Sequence, residues 1–141
     1  KMMKDNELGE FGEKQTCRIL KKNGFDAYLS PGSRGPADVP AFKVGKRWMI
    51  QVKARNNDDG ILLNNTEIVK LVDHSLKYDC TPVVAKLLPH TEQVLNDHSN
   101  QRHPNNPSRI INKLGNYIGD DVCNGFLLTF YDVGSNQRLE P

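Results

Sequence analysis

The stretch "RWMIQVKAR" (47–55) constrains this chain more than any other, because its apolar and polar side chains alternate. Successive side chains of an extended strand leave on opposite faces. Trp48, Ile50, Val52 and Ala54 therefore share a face that requires burial, while Gln51 and Lys53 share the other. Such a strand needs partners, and the flanking sequence supplies them. Residues ~37–43 and ~47–55 surround the tight turn Val44-Gly45-Lys46, which predicts a β-hairpin. A short strand is expected at "FDAYLS" (25–30), followed by the irregular Gly/Pro-rich turn "PGSRGP" (31–36).

Helices frame this unit. Over residues ~5–23, Leu8, Phe11, Ile19 and Leu20 recur near helical spacing, acids crowd the first half and Lys21-Lys22 the end, and Gly24 reads as the stop. Asn64-Asn65-Thr66 offers caps for a second helix with Ile68, Leu71, Val72 and Leu76 on its apolar face. "TPVVAKLL" (81–88) and "GFLLTFYDV" (125–133) read as buried strands. Between them, 89–124 is a polar, Pro/Asn-rich insertion whose second half predicts a helix over 107–119. Pro107 would open that helix, and Ile110, Ile111, Leu114 and Tyr117 would lie on one side. The order predicts an α/β fold with a small mixed sheet, as a single domain over 1–141.

Composition narrows the class. No apolar run approaches the roughly 18 residues that cross a bilayer, and no signal-peptide pattern opens the chain, so a cytoplasmic protein without membrane association is expected. Cys17, Cys80 and Cys123 are odd in number and form no CxxC, which suits a reducing compartment. His90, His98, His103 and Cys123 lack the spacing of a compact zinc site and read as loop residues. Charge is lopsided: residues 1–55 carry 12 Lys+Arg against 6 Asp+Glu, and residues 56–141 carry 7 against 11. The positive half points to a polyanion partner. Arg34 and Arg55 flank the Gln51/Lys53 strand and are the expected phosphate contacts, which position nucleic acid without reading its sequence.

Asp38 lies at the start of the first hairpin strand, after the Gly/Pro turn, and a twisted hairpin can bring its carboxylate beside Gln51 and Lys53. Carboxylate and amide oxygens hold Mg²⁺, the ion polarises a phosphate and acidifies bound water, and a nearby ammonium offsets the developing charge. The pattern Asp38 … Gln51-Val52-Lys53 resembles the PD-(D/E)XK nuclease motif. The longer segment "GEKQTCRILKKNGFDAYLSPGSRGPADV" resembles the archaeal Holliday-junction resolvases of that superfamily, with similarity over roughly residues 7–88.

That resemblance implies the restriction-endonuclease-like fold and a Mg²⁺-dependent, structure-selective endonuclease acting on DNA as a homodimer, with Mn²⁺ able to substitute. It assigns metal ligation to Asp38, to the side chain of Gln51 and to the Val52 carbonyl. Lys53 falls near the nucleophilic water, Glu13 on the helix glutamate, and Ser30 and Ser33 on the loop serines that meet DNA. The dimer contact is expected from the apolar side of helix 107–119 or from strand 125–133. The departure is Gln51, where such resolvases carry glutamate. Mrr-type nucleases carry Gln-x-Lys, so an Mrr-like restriction or repair nuclease is one alternative, and a non-catalytic DNA-binding module is another.

Overall fold

The computed structural model describes residues 3–30, 35–57, 63–89 and 126–141 with their side chains, and the backbone of residues 101–103, 106–111, 117–119 and 121–123. In chain order, α1 (Asp5–Lys22), β1 (Asp26–Ala27), β2 (Val39–Lys43) and β3 (Lys46–Ala54) are followed by α2 (Asn65–Lys77) and β4 (Thr81–Pro89). Next come β5 (Gln101–His103), β6 (Asn106–Ile111), β7 (Tyr117–Gly119) and β8 (Asp121–Cys123), then β9 (Phe126–Asp132) and β10 (Arg138–Leu139).

Helix α1 buries Leu8, Gly12, Thr16, Ile19 and Leu20, a stripe at intervals of three and four. Phe11 sits beside that stripe, its ring 6.0 Å from that of Phe126. A Schellman motif ends the helix: Phe25 N–H donates to the Leu20 carbonyl at 2.9 Å and Gly24 N–H to Lys21 at 3.0 Å. Gly24 meets the left-handed φ of +88° this requires. At Gly12 the missing side chain sets the packing distance, because a Cβ there would lie 3.3 Å from Val52 Cγ1 and 3.4 Å from Ala54 Cβ. The helix thus rides directly on the strand that carries Gln51 and Lys53.

The main sheet runs β1-β2-β3-β4-β9-β10, with β8 also paired to β9. Among the described strands only β3 and β4 pair in parallel, and α2 supplies the crossover that such a pair needs. The two helices cover opposite faces. Trp48, Ile50 and Val52 join the α1 cluster, where Trp48 lies 4.9 Å from Phe25 and 5.6 Å from Phe130, ring to ring. Met49 joins Leu71 of α2 on the other side, the side onto which Gln51 and Lys53 project.

Two sequence expectations need correction. On α2 the buried residues are Leu71 and Ser75, while Leu76 is 73% exposed. Ser75 lies one turn from Leu71, whose carbonyl accepts its hydroxyl at 2.7 Å, and that bond lets a small polar residue occupy the inner face. Secondly, the helix expected over 107–119 does not form: β6 and β7 occupy that stretch, within a three-stranded antiparallel sheet β5-β6-β7. Ile110 and Ile111 are β-branched, and Asn112, Gly115, Asn116 and Gly119 favour turns over a helix. The proposed dimer contact loses that helix. Strand β9, the other expected contact, is flanked by β4 on one side and by β10 and β8 on the other, so both its edges are already paired.

Candidate active site

The hairpin strands are unequal, and the site lies where the shorter one stops. Register runs from Lys43↔Lys46 to Val39↔Ile50, so residues 51–54 of β3 extend past the start of β2. Asp38 N–H also donates to the Ile50 carbonyl, at 2.8 Å. Asp38 and Val39 thus face one residue between them, the two-against-one arrangement of a β-bulge, which re-aims a side chain. The Asp38 carboxylate fills the resulting notch: its Oδ2 accepts Val52 N–H at 2.9 Å and Gln51 Nε2 at 2.9 Å. Because N–H and C=O of one strand residue leave on the same side, the Val52 carbonyl faces this notch too. Ser30 pins the incoming loop, donating its N–H to the Asp38 carbonyl and its hydroxyl to the Ala37 carbonyl, each at 2.9 Å.

Electrostatics tie the other expected residues to this point. Asp38 is only 8% exposed, and burial raises its pKa, opposed by the Val52 N–H and the Lys53 ammonium. Glu13, next to Gly12 on α1, is also raised, first by burial and then by the charge of Asp38. Glu13 approaches from the α1 side of the sheet and Lys53 from the α2 side; Glu13 feels the charge of Asp38, and Asp38 feels that of Lys53 and bonds Gln51 directly. Arg55 follows directly: its backbone N–H donates to the Leu87 carbonyl at 3.1 Å, and its charge reaches Glu67. Ser33 and Arg34 lie outside the described residues.

Two residues at the site were not anticipated from sequence. Lys53 Nζ forms an ion pair with Glu67 of α2. Glu67 also completes a capping box, its N–H donating to Asn64 Oδ1 at 2.8 Å while its Oε1 accepts Asn64 N–H at 3.2 Å. The hydrogen bond from Lys53 holds the Glu67 carboxyl below the usual carboxylate range, against the opposing effect of burial. The second is Lys86, which stands beside Lys53 in the β3/β4 register and on the same face. Its ammonium lies 4.7 Å from the centre of the Tyr131 ring, and burial lowers its pKa. The Asn-Asn-Thr-Glu cap was visible in the sequence, but its position over the end of β3 depends on the crossover.

The basic hairpin tip lies about 20 Å along β3 from Lys53. Lys46 Nζ donates to the Glu140 carbonyl at 2.7 Å, and Arg47 donates to the carbonyls of Tyr78 and Asp79 at 3.1 and 3.2 Å. These residues brace the C-terminal segment and the α2–β4 turn.

Among the described residues, no group of three or more His, Cys, Asp or Glu side chains is placed to hold a metal. A cation at the notch would rely on two acids, Asp38 and Glu13, together with the carbonyl oxygens of Val52 and Gln51. That is a hard-oxygen set suited to Mg²⁺. The mutual repulsion of its two acids, Asp38 buried and Glu13 half-buried, is what a divalent cation relieves, so the residues fit such an ion. Also among the described residues, no helix is long and apolar enough to cross a membrane.

Comparison with known proteins places the chain. Residues 4–114 match the family model of the archaeal Holliday junction resolvase, Hjc. No curated protein matches the chain. Among solved structures, the chain is similar to Hjc of Archaeoglobus fulgidus, a Holliday junction resolvase from an archaeal hyperthermophile, at 28% identity and a TM-score of 0.51. That match covers 59% of this chain and 66% of the other, just under two thirds of that protein's length. The fold is therefore restriction-endonuclease-like, as the sequence resemblance implied, and with the family model matching well over half of its 141 residues the chain belongs to the archaeal Holliday junction resolvase family.

Proposed function

We propose that this chain, residues 1–141 acting as one nuclease domain, is a divalent-metal-dependent endonuclease that hydrolyses phosphodiesters of branched DNA, four-way junctions first. The observation that carries this reading is the Asp38 carboxylate held in the hairpin notch by Val52 N–H, with Lys53 on the adjacent strand and Glu13 opposite. A divalent cation held here, Mg²⁺ or Mn²⁺ in its place, would supply polarisation of the scissile phosphate and a bound water of lowered pKa. Asp38, Glu13, the Val52 carbonyl and the Gln51 carbonyl oxygen are the residues that would hold it.

Lys53 orients the attacking water and offsets negative charge on the phosphate as the new bond forms. Arg55, and Arg34 with Ser33 from the loop before Asp38, hold the DNA backbone. Ser30 acts indirectly, by fixing the loop on which Asp38 is mounted. Cutting both strands of a junction calls for two sites, which a symmetric homodimer provides.

The test is cleavage of four-way junctions, flaps, linear duplex and single strands side by side, with Mg²⁺ and with Mn²⁺. Junctions should be cut in preference, and Asp38→Asn and Lys53→Ala should each abolish cutting while leaving junction binding largely intact. Equal cutting of every duplex would remove the junction selectivity and favour an Mrr-like activity. Tight, salt-sensitive binding without cutting would leave a DNA-binding module.

A further inference from the structure

We propose that Glu67 is a positioning residue of this active site: from the first turn of α2 it gives Lys53 the carboxylate partner that position 51 does not. The inference rests on the nuclease reading above for its catalytic consequence, and on geometry alone for the pairing.

Gln51 projects from the same face of β3 as Lys53 but is neutral, and its amide N–H is committed to Asp38 at 2.9 Å. Asp38 is occupied in turn, since its Oδ2 accepts both that amide and Val52 N–H. On the other flank the register sets Lys86 beside Lys53, and like charges on neighbouring strands repel. The two ammonium groups resolve this by taking different partners. Lys86 turns to the Tyr131 ring, and Lys53 turns to Glu67.

Glu67 differs from an ordinary surface acid in having both oxygens assigned. Oε1 accepts the Asn64 N–H at 3.2 Å and Oε2 accepts Lys53. The capping box thus orders the carboxylate before it meets the lysine, and the lysine is held by an element that the β3–β4 crossover fixes over its strand. Glu67 is also close enough for its charge to be felt at Asp38 and for it to feel Arg55. The negative charge absent from position 51 is therefore present on the same face of the sheet, carried by a different element.

A capping role and a positioning role separate in the substitution Glu67→Gln. Glutamine at this position of a capping box still bonds the N-cap backbone, so the helix keeps its cap while Lys53 loses its counter-charge. Positioning predicts a melting temperature lowered by no more than the loss of one partly exposed ion pair, unchanged affinity for a four-way junction in the absence of divalent ion, and a single-turnover cutting rate at saturating junction reduced roughly 10- to 100-fold. It also predicts partial rescue when Gln51→Glu is added to Glu67→Gln, because a carboxylate two residues along the strand again faces Lys53.

A readout independent of cutting is the labelling rate of Lys53 by an amine-reactive reagent, followed by peptide mass spectrometry. Release from the ion pair should speed labelling in Glu67→Gln. Cutting at the wild-type rate, or a rate loss explained by a lower melting temperature with Lys53 labelling unchanged, would reduce Glu67 to a helix cap and overturn the proposal. If the wild-type protein cut no DNA, the nuclease reading itself would fall, and the labelling comparison would still decide whether Glu67 holds Lys53.

Discussion

The Gln51 amide donates to Asp38 Oδ2 at 2.9 Å, and the same oxygen accepts Val52 N–H. In the cation-free site the glutamine therefore works as a donor that supports a buried negative charge. A glutamate at this position would set a second carboxylate against the first, and two such groups in contact do not both ionise readily. Gln51→Glu should accordingly tighten Mn²⁺ binding, by about tenfold for one added ligand charge. It should also lower the stability of the cation-free protein at neutral pH by about 1–3 kcal/mol, since the Asp38 partner is lost and a repulsion gained. Calorimetric titration with Mn²⁺ and urea unfolding in EDTA check the two halves. Weaker Mn²⁺ binding would mean that position 51 does not face the ion.

Asp38 and Glu13 share a direction of pKa shift, and the sign of its consequence is fixed. Each is raised in the folded protein, chiefly by burial. A raised carboxylate lends its full stability below the unfolded pKa, about 4, and that contribution is lost as pH rises through the folded value. At neutral pH the charged acids weigh against the fold. Asp38→Asn keeps an oxygen able to accept both hydrogen bonds and removes the charge. Its melting temperature in EDTA should exceed that of the wild type by about 3 °C at pH 7.5. The gap should close as pH approaches 4, and the upward shift that Mg²⁺ gives the wild type should be absent. Glu67 behaves oppositely: its pKa is depressed, so its contribution is present above the ordinary Glu pKa and fades as pH falls through the depressed value.

Gly12 sets how closely α1 approaches β3 and hence where Glu13 stands. A Cβ at this position would already meet Val52 Cγ1 at 3.3 Å and Leu87 Cδ2 at 3.7 Å, both core side chains with little room to yield. Gly12→Val adds two further methyl groups and should destabilise by about 1–3 kcal/mol through overpacking. Because the helix must lift to admit them, Glu13 moves away from Asp38. Cutting should then fall by more than the loss of folded protein explains, as measured at a temperature where the variant remains folded. A fully active Gly12→Val would show that Glu13 needs no such placement.

What the sequence disclosed was local. The alternation through "RWMIQVKAR" determined which side chains of β3 face the core, and Trp48, Ile50 and Val52 are buried as it required. The hairpin turn brought Asp38 to Gln51 across thirteen residues, a separation short enough for spacing to decide the contact. Glu67 and Lys86 escaped because their places depend on the register of β3 against β4, which is set by a crossover rather than by a turn. The segment 107–119 escaped for another reason. Four apolar residues at mixed spacing suit a helix stripe or short strands equally, and periodicity alone does not separate them. Leu76 shows the same limit within a correctly placed helix: its hydrophobicity marked it for the core, but the rotation that buries Leu71 buries Ser75 and leaves Leu76 exposed.

Asp79 offers a change whose effect should be confined to stability. It closes α2 in a Schellman motif, with Cys80 N–H donating to the Ser75 carbonyl at 2.8 Å and Asp79 N–H to the Leu76 carbonyl at 3.2 Å. This geometry holds Asp79 at φ +56°, where an L side chain is strained by about 1 kcal/mol. Arg47 grips the Asp79 carbonyl, not its side chain, so glycine keeps that contact. Asp79→Gly removes the strain, at the expense of greater freedom in the unfolded chain, and a net gain of about 0.5 kcal/mol in urea unfolding is expected. The residue lies at the end of α2 opposite Glu67, so junction cutting should proceed at the wild-type rate. A gain in stability accompanied by a loss of cutting would show that the far end of α2 is coupled to the Lys53 notch, and that this helix transmits more than the position of its first turn.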